Sequence, residues 1–156
     1  LRTVQALIGL PVISNTTGIE HGRVVDALFD GKEVVGLTVK RTHLFAQHAF
    51  LPIGEIAHAG QEAVMIAGEQ ALKPFNREQK MLHPIHTGRR RFKGKPLLSE
   101  EGETLGLVED VYFNVELGTI IGYEVTDGWL SDIKEGRKVV KGQHLVISKE
   151  RAILSL

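Results

Sequence analysis

Cysteine is absent from the 156 residues. Disulfides, thiolate zinc sites, iron–sulfur clusters and a cysteine nucleophile are thereby excluded. A cytoplasmic location is the expectation; the missing cysteine is compatible with it without requiring it. Aromatic residues are scarce, with six Phe, two Tyr and one Trp, so the core must be built mainly from Val, Ile and Leu. Such side chains suit half-buried strands. No apolar run approaches the roughly 20 residues that cross a bilayer, and no signal-peptide pattern opens the chain. Leu1 stands where Met is usual, which leaves a trimmed product and further residues at either end open. Net charge is absent as well: 19 basic side chains balance 19 acidic ones.

That balance is not local. Residues 73–95 carry eight basic side chains and one acidic one, whereas the stretches on either side are net acidic. A basic middle segment between acidic flanks reads as a linker with its own chemistry, or one that docks on its neighbours.

Glycine is plentiful, at 17 residues, and its positions repeat. Gly9-Leu10-Pro11-Val12-Ile13-Ser14 matches Gly94-Lys95-Pro96-Leu97-Leu98-Ser99. Gly18, Gly22, Val24, Asp26 and Phe29 match Gly102, Gly106, Val108, Asp110 and Phe113. Gly36, Leu37 and Val39 then match Gly122, Tyr123 and Val125. A repeat at this period points to duplicated units. Within each copy the apolar residues alternate. Strict alternation places Val25, Ala27 and Phe29 on one strand face, then Val35, Leu37 and Val39, with Ile121, Tyr123 and Val125 as the second copy. Asp30-Gly31 and Leu117-Gly118-Thr119 separate the alternating runs, so each copy contains a hairpin. Short strands at Pro11–Ser14 and Pro96–Ser99 precede the hairpins. Ala49 to Ile53 reads as an edge strand because of Pro52, and Glu62 to Ile66 as a terminal strand. Leu145, Ile147 and Ile153-Leu154 supply the last strands. Trp129, Leu130 and Ile133 share one side of a short helical turn that Gly136 can end.

Small antiparallel sheets shed their exposed edges by closing into barrels. The expected fold is therefore all-β: two small barrels related by the repeat, packed with pseudo-two-fold symmetry. The expected units are residues 1–70 and 93–156, joined over 71–92 by a basic, partly helical linker with Pro74 in its first helical turn.

The pattern Gly-x-Pro-x-x-Ser, then Gly-x-x-x-Gly-x-Val-x-Asp-x-x-Phe, then a strand with Gly-(Leu/Tyr)-x-Val, resembles the PRC-barrel. That domain occurs in the cytoplasmic part of the photosynthetic reaction-centre H subunit and in the C-terminal half of the ribosome-maturation factor RimM. Copy one carries the pattern from Gly9 to Val39 and copy two from Gly94 to Val125. The resemblance implies a tandem PRC-barrel chain acting as a non-catalytic adaptor or assembly module that binds a protein partner. The competing expectation is a RimM-like, ribosome- or RNA-associated factor. No membrane helix like that of the H subunit is read in these 156 residues, and a second PRC-like copy stands where RimM has a different N-terminal domain, so neither specific role is expected to transfer.

Asp26 and Asp110 recur inside apolar strands. A buried carboxylate needs hydrogen-bond donors, and the amides of the neighbouring glycine turn are the expected source. Gly22 and Gly106, just ahead of the long strands, are expected at a bulge or bend. Their spacing lacks the GxGxxG order of a phosphate cradle. These four residues are therefore assigned to the scaffold. The binding candidates are Arg89, Arg90, Arg91, Phe92 and Lys93: cations for phosphates, with Phe92 as a ring for a base. Such a run also suits acidic barrel surfaces or anionic lipid headgroups. His83 and His86, at i and i+3, would need distant partners to hold a metal, and Pro84 opposes a helix through them. No metal, cofactor or catalytic residue is expected; a protein partner is, while nucleic acid, peripheral membrane contact and self-association stay open.

Overall fold

A computed structural model describes residues 1–43, 45, 47–126 and 137–156. The helical turn expected around Trp129, Leu130 and Ile133 lies outside the described residues.

The first half of the chain forms β1 (Arg2–Thr3), β2 (Pro11–Ser14), β3 (Glu20–Phe29), β4 (Val34–Arg41), β5 (Ala49–Pro52), β6 (Ile56–Ala59) and β7 (Val64–Ile66). The middle segment adds β8 (Lys73–Pro74), α1 (Arg77–Lys80) and β9 (His83–Pro84). The second half forms β10 (Pro96–Ser99), β11 (Thr104–Phe113), β12 (Ile120–Thr126), β13 (Arg137–Val140), β14 (His144–Ile147) and β15 (Ala152–Ser155).

These strands make two small, barrel-like sheets. One runs β6-β7-β2-β3-β4-β5-β8 and the other β14-β15-β10-β11-β12-β13. The shared order is the structural form of the sequence repeat. Both units also contain one parallel pair, β2 with β7 (Val12 opposite Val64) and β10 with β15 (Leu97 opposite Ala152). β7, the last strand of the first unit in chain order, lies between β2 and β6 in the sheet, and its parallel pairing with β2 demands a crossover rather than a hairpin.

The strict alternation expected in the long strands is broken twice in each copy. Val25 and Asp26 together face Thr38, and Glu109 and Asp110 together face Glu124. A second extra residue falls at Val35 in β4 and Ile121 in β12. Each bulge shifts the side-chain parity by one. Val24, Ala27 and Phe29 therefore share the core, whereas Val25, Val35 and Ile121 leave it. Gly22 and Gly106 flank a third bulge, where β2 and β10 shift register against their long neighbours. A Cβ on Gly22 would collide with the carbonyl of Lys40, and one on Gly106 would lie 2.5 Å from the carbonyl oxygen of Thr126. Gly106 also holds φ +141°, which L side chains rarely adopt.

Pairing does not follow the boundaries expected from the sequence. β1 pairs with β11 of the second sheet, Arg2 opposite Phe113, although it belongs to residues 1–70. β9 pairs with β3 of the first sheet, Phe29 opposite His83, although it leads into the second unit. Each unit thus hands its leading strand to the other. Within residues 71–92, expected as a basic, partly helical linker, β8 extends the first sheet along β5. The helix in this segment is one turn long. Asn76 caps it, accepting from the amides of Glu78 (2.9 Å) and Gln79 (3.4 Å), while Gln79 reaches back to the Asn76 amide (3.0 Å). Pro74 lies in β8 rather than in the first turn, because the Asn76–Gln79 capping box fixes the start later.

The buried side chains form one continuous cluster through both units. Val4 and Leu7 of one leading segment, and Ile85 and Phe92 of the other, are fully buried in it. An aromatic series crosses the seam. Phe29 meets His83 at 5.7 Å and Phe92 at 4.9 Å, and Phe92 meets Tyr123 at 5.9 Å between centroids. Burial pushes the Tyr123 hydroxyl up to a pKa of about 12.

Candidate binding surfaces at the seam between the units

The bulges turn Asp26 and Asp110 toward the seam, where each meets the leading segment of the other unit. Asp26 accepts from the amides of Ala27 (2.8 Å), His86 (3.0 Å) and Thr87 (2.9 Å), and from the Thr87 hydroxyl (2.6 Å). Asp110 accepts from the amides of Val111 (2.7 Å), Val4 (2.9 Å) and Gln5 (3.0 Å). The donors are thus not the neighbouring glycine turns. Gly22 and Gly106 are held between two strands each, so their backbone belongs to the ladders.

His86 joins the two carboxylates. Its amide binds Asp26, and its Nε2 lies 3.0 Å from Oδ2 of Asp110, in contact but without hydrogen-bond alignment. The two side chains are 8% and 4% exposed. Burial pushes the Asp110 carboxyl up, but the His86 contact and the amides of Val111 and Gln5 outweigh it and hold the group below the ordinary carboxylate value.

This pair borders a polar cavity of about 440 Å³. Its other charges are mutually paired. Arg137 lies 3.6 Å from Glu109 and 3.7 Å from Glu124, and Lys93 lies 3.6 Å from Glu109. The Tyr112 hydroxyl donates to Glu124 at 3.2 Å, and the charge on Glu124, followed by burial, raises its pKa. These ion pairs lie within the second unit, whereas the Asp110 bonds to Val4 and Gln5 and the Asp26 bonds to His86 and Thr87 fasten one unit to the other.

The basic run splits four ways. Phe92 is fully buried between Phe29 and Tyr123, which corrects its assignment as a base-stacking ring: the series of rings leaves no face open. Lys93 turns to Glu109 at the polar cavity. Arg89 and Arg90 line a separate cleft of about 500 Å³ with His83, Lys95, Ile147 and Lys149. Arg91 lines a shallower groove beside it, next to Lys149 and Glu150. Arg90 donates to the carbonyls of Lys80 (2.8 Å) and Met81 (3.2 Å), which closes the C-terminal end of α1. Lys95 Nζ donates to the carbonyls of Ser148 (2.9 Å) and Lys149 (2.6 Å). His83 and His86 diverge into different cavities, and no group of metal-ligating side chains forms among the described residues. The His83 pKa is lowered by burial and then by the charges of Arg90 and Lys95, against an opposing effect of Asp30.

A third surface emerges when the two units are compared. β5 is covered: Ala49, Phe50 and Leu51 are buried, β8 pairs along the strand, and Phe75 packs on Phe50 at 6.1 Å. Through the register on β4 and β12, Phe50 corresponds to Val139 of β13. Phe50 is 6% exposed and Val139 46%. Among the described residues no strand covers the outer edge of β13.

Residues 87–153 match the model of the PRC-barrel domain. The chain is also similar to the "Uncharacterized protein YrrD" of Bacillus subtilis (strain 168), with 30% identity over 165 residues that span 99% of this chain and 88% of that one. The chain belongs to the PRC-barrel family. The match to the PRC-barrel begins within the second unit's leading segment, at the Thr87 that binds Asp26, and ends in β15. Among the described residues of this PRC-barrel protein, no helix is long and apolar enough to cross a membrane.

Sequence reading missed His86 as the bridge, and Ile147 and Lys149 as walls of the cleft. No periodicity links residue 149 to residue 89; only the return of β14 beside the middle segment does.

Proposed function

We propose that this chain is a tandem PRC-barrel adaptor without catalytic activity, and that it binds a protein partner by strand addition on β13. Both units having the same strand order, the same bulges and equivalent aspartates supports a PRC-barrel reading of the first unit as well. The seam supports a binding role over a catalytic one, because Asp26, His86 and Asp110 bind one another and the leading segments. The observation that carries the docking reading is the edge of β13. The duplicate of this edge is covered by an extended segment with an aromatic residue, whereas Val139 is 46% exposed and no strand among the described residues pairs beyond β13. An unpaired strand edge is a template for another strand, with side-chain pockets giving selectivity.

The RNA-associated reading has less support, since Phe92 is in the core and offers no ring to a base. A photo-cross-linker at position 139, used in native cells, tests the proposal. The expected result is a protein adduct that disappears with Val139→Lys when the linker is moved to position 138, since a charged edge opposes strand pairing. An adduct that persists in Val139→Lys, or cross-links to RNA alone, would overturn it.

A further inference from the structure

The cleft beside β14 is independent of that docking edge, and its chemistry is different. We propose that it binds a small phosphate-bearing molecule, with the phosphate held among Arg89, Arg90, Lys95 and Lys149 and the organic part on Ile147.

The argument starts from charge. Arg89, Arg90, Lys95 and Lys149 line one concavity, and none of them pairs with a carboxylate among the described residues. Elsewhere the chain pairs its seam cations: Lys93 and Arg137 both lie against Glu109. Like charges gathered without counter-ions repel, so the folded chain carries an electrostatic cost that an anion would relieve. Glu150 borders the adjoining groove but does not line this cleft.

Two of the four cations are also pre-positioned. Arg90 is held by the carbonyls of Lys80 and Met81, and Lys95 by those of Ser148 and Lys149. Neutral carbonyls orient a cation without cancelling its charge. A ligand then meets donors already in place, which reduces the ordering cost of binding. Arginine forks and lysine point charges together suit phosphate oxygens. Four unpaired cations match a multiply charged phosphate better than one carboxylate. After the larger effect of burial, the charges of Arg90 and Lys95 also lower the His83 pKa.

Shape narrows the class further. A volume of about 500 Å³ is far more than an inorganic ion fills and falls within the range of small-molecule sites. Ile147 gives the cleft an apolar wall. The cleft also lies where β9, paired with the first sheet, meets the β14–β15 turn of the second, and clefts between units are preferred ligand sites. A phosphate monoester or diphosphate on a compact, partly apolar group fits these features. Its source is either a soluble metabolite or a lipid headgroup.

The test is an amide NMR titration of the intact chain with inorganic phosphate, inorganic pyrophosphate and phenyl phosphate. In parallel, the chain is co-sedimented with phosphatidylcholine vesicles containing phosphatidic acid. Saturable shifts are expected at His83, Lys95 and Lys149. Phenyl phosphate should bind several-fold tighter than inorganic phosphate, a preference that Ile147→Ser removes. Replacing two charge-assisted donors with Arg89→Gln/Lys149→Gln should weaken binding at least about tenfold, and both side chains are exposed, so the fold should survive. Saturable binding of the soluble compounds assigns a soluble source. Vesicle binding alone, lost in the double variant, assigns a lipid headgroup. Failure of both arms, indifference to the double variant, or much tighter binding of single-stranded RNA would overturn the proposal.

Discussion

Asp26→Ala is expected to destabilise the fold by about 3–5 kcal/mol, because it strips several buried donors of their acceptor at once. The carboxylate takes the amides of Ala27, His86 and Thr87 and the Thr87 hydroxyl. Each buried donor left unpaired costs roughly 1–3 kcal/mol, and the partly buried position of His86 and Thr87 lets water recover some of that. For a chain of this length the melting temperature should fall by on the order of 10 °C. Asp26→Asn keeps one acceptor oxygen and should lose less. Urea denaturation followed by circular dichroism measures both variants. A loss under about 1 kcal/mol for Asp26→Ala would show that the clamp does not hold the seam.

Phe92→Ala should be comparably damaging, at about 3–5 kcal/mol, since it opens a cavity where the two units meet. The ring is fully buried, 4.9 Å from Phe29 and 5.9 Å from Tyr123. Neither neighbour can close the gap without leaving its own sheet. Phe92→Leu retains most of the volume and should cost less. The contrast with Arg89→Gln is diagnostic. Three residues apart in the same basic run, one substitution should unfold the chain more easily and the other should leave its stability unchanged. Equal, small effects in thermal melts would mean that Phe92 is not part of the core.

The repeat was legible because its landmarks obey local rules. Glycines at turns and period-two apolar runs announce hairpins without reference to the rest of the chain, and β2, β3, β4, β10, β11 and β12 followed. The bulges at Val25, Val35, Glu109 and Ile121 were not legible, since an extra residue in a strand leaves no compositional mark. They decide which side chains enter the core and where Asp26 and Asp110 point. The exchange of leading segments was hidden for a related reason. β1 and β9 are two residues long, too short for any periodicity, and their partners are dictated by three-dimensional packing. The basic run was visible as composition, but composition cannot say that Phe92 turns inward while Arg89 turns outward. Nor could it bring Ile147 and Lys149 to the same cleft.

The central claim is that each unit is completed by the strand that leads into the other. Deleting residues 1–5 and recording amide NMR spectra tests it most directly. The account predicts that the largest losses of hydrogen-exchange protection fall on Asp110 to Phe113 of β11, more than 100 residues away in sequence, because β1 and the amides of Val4 and Gln5 are bound there. Losses confined to β2 and β3, the strands next in the chain, would contradict it.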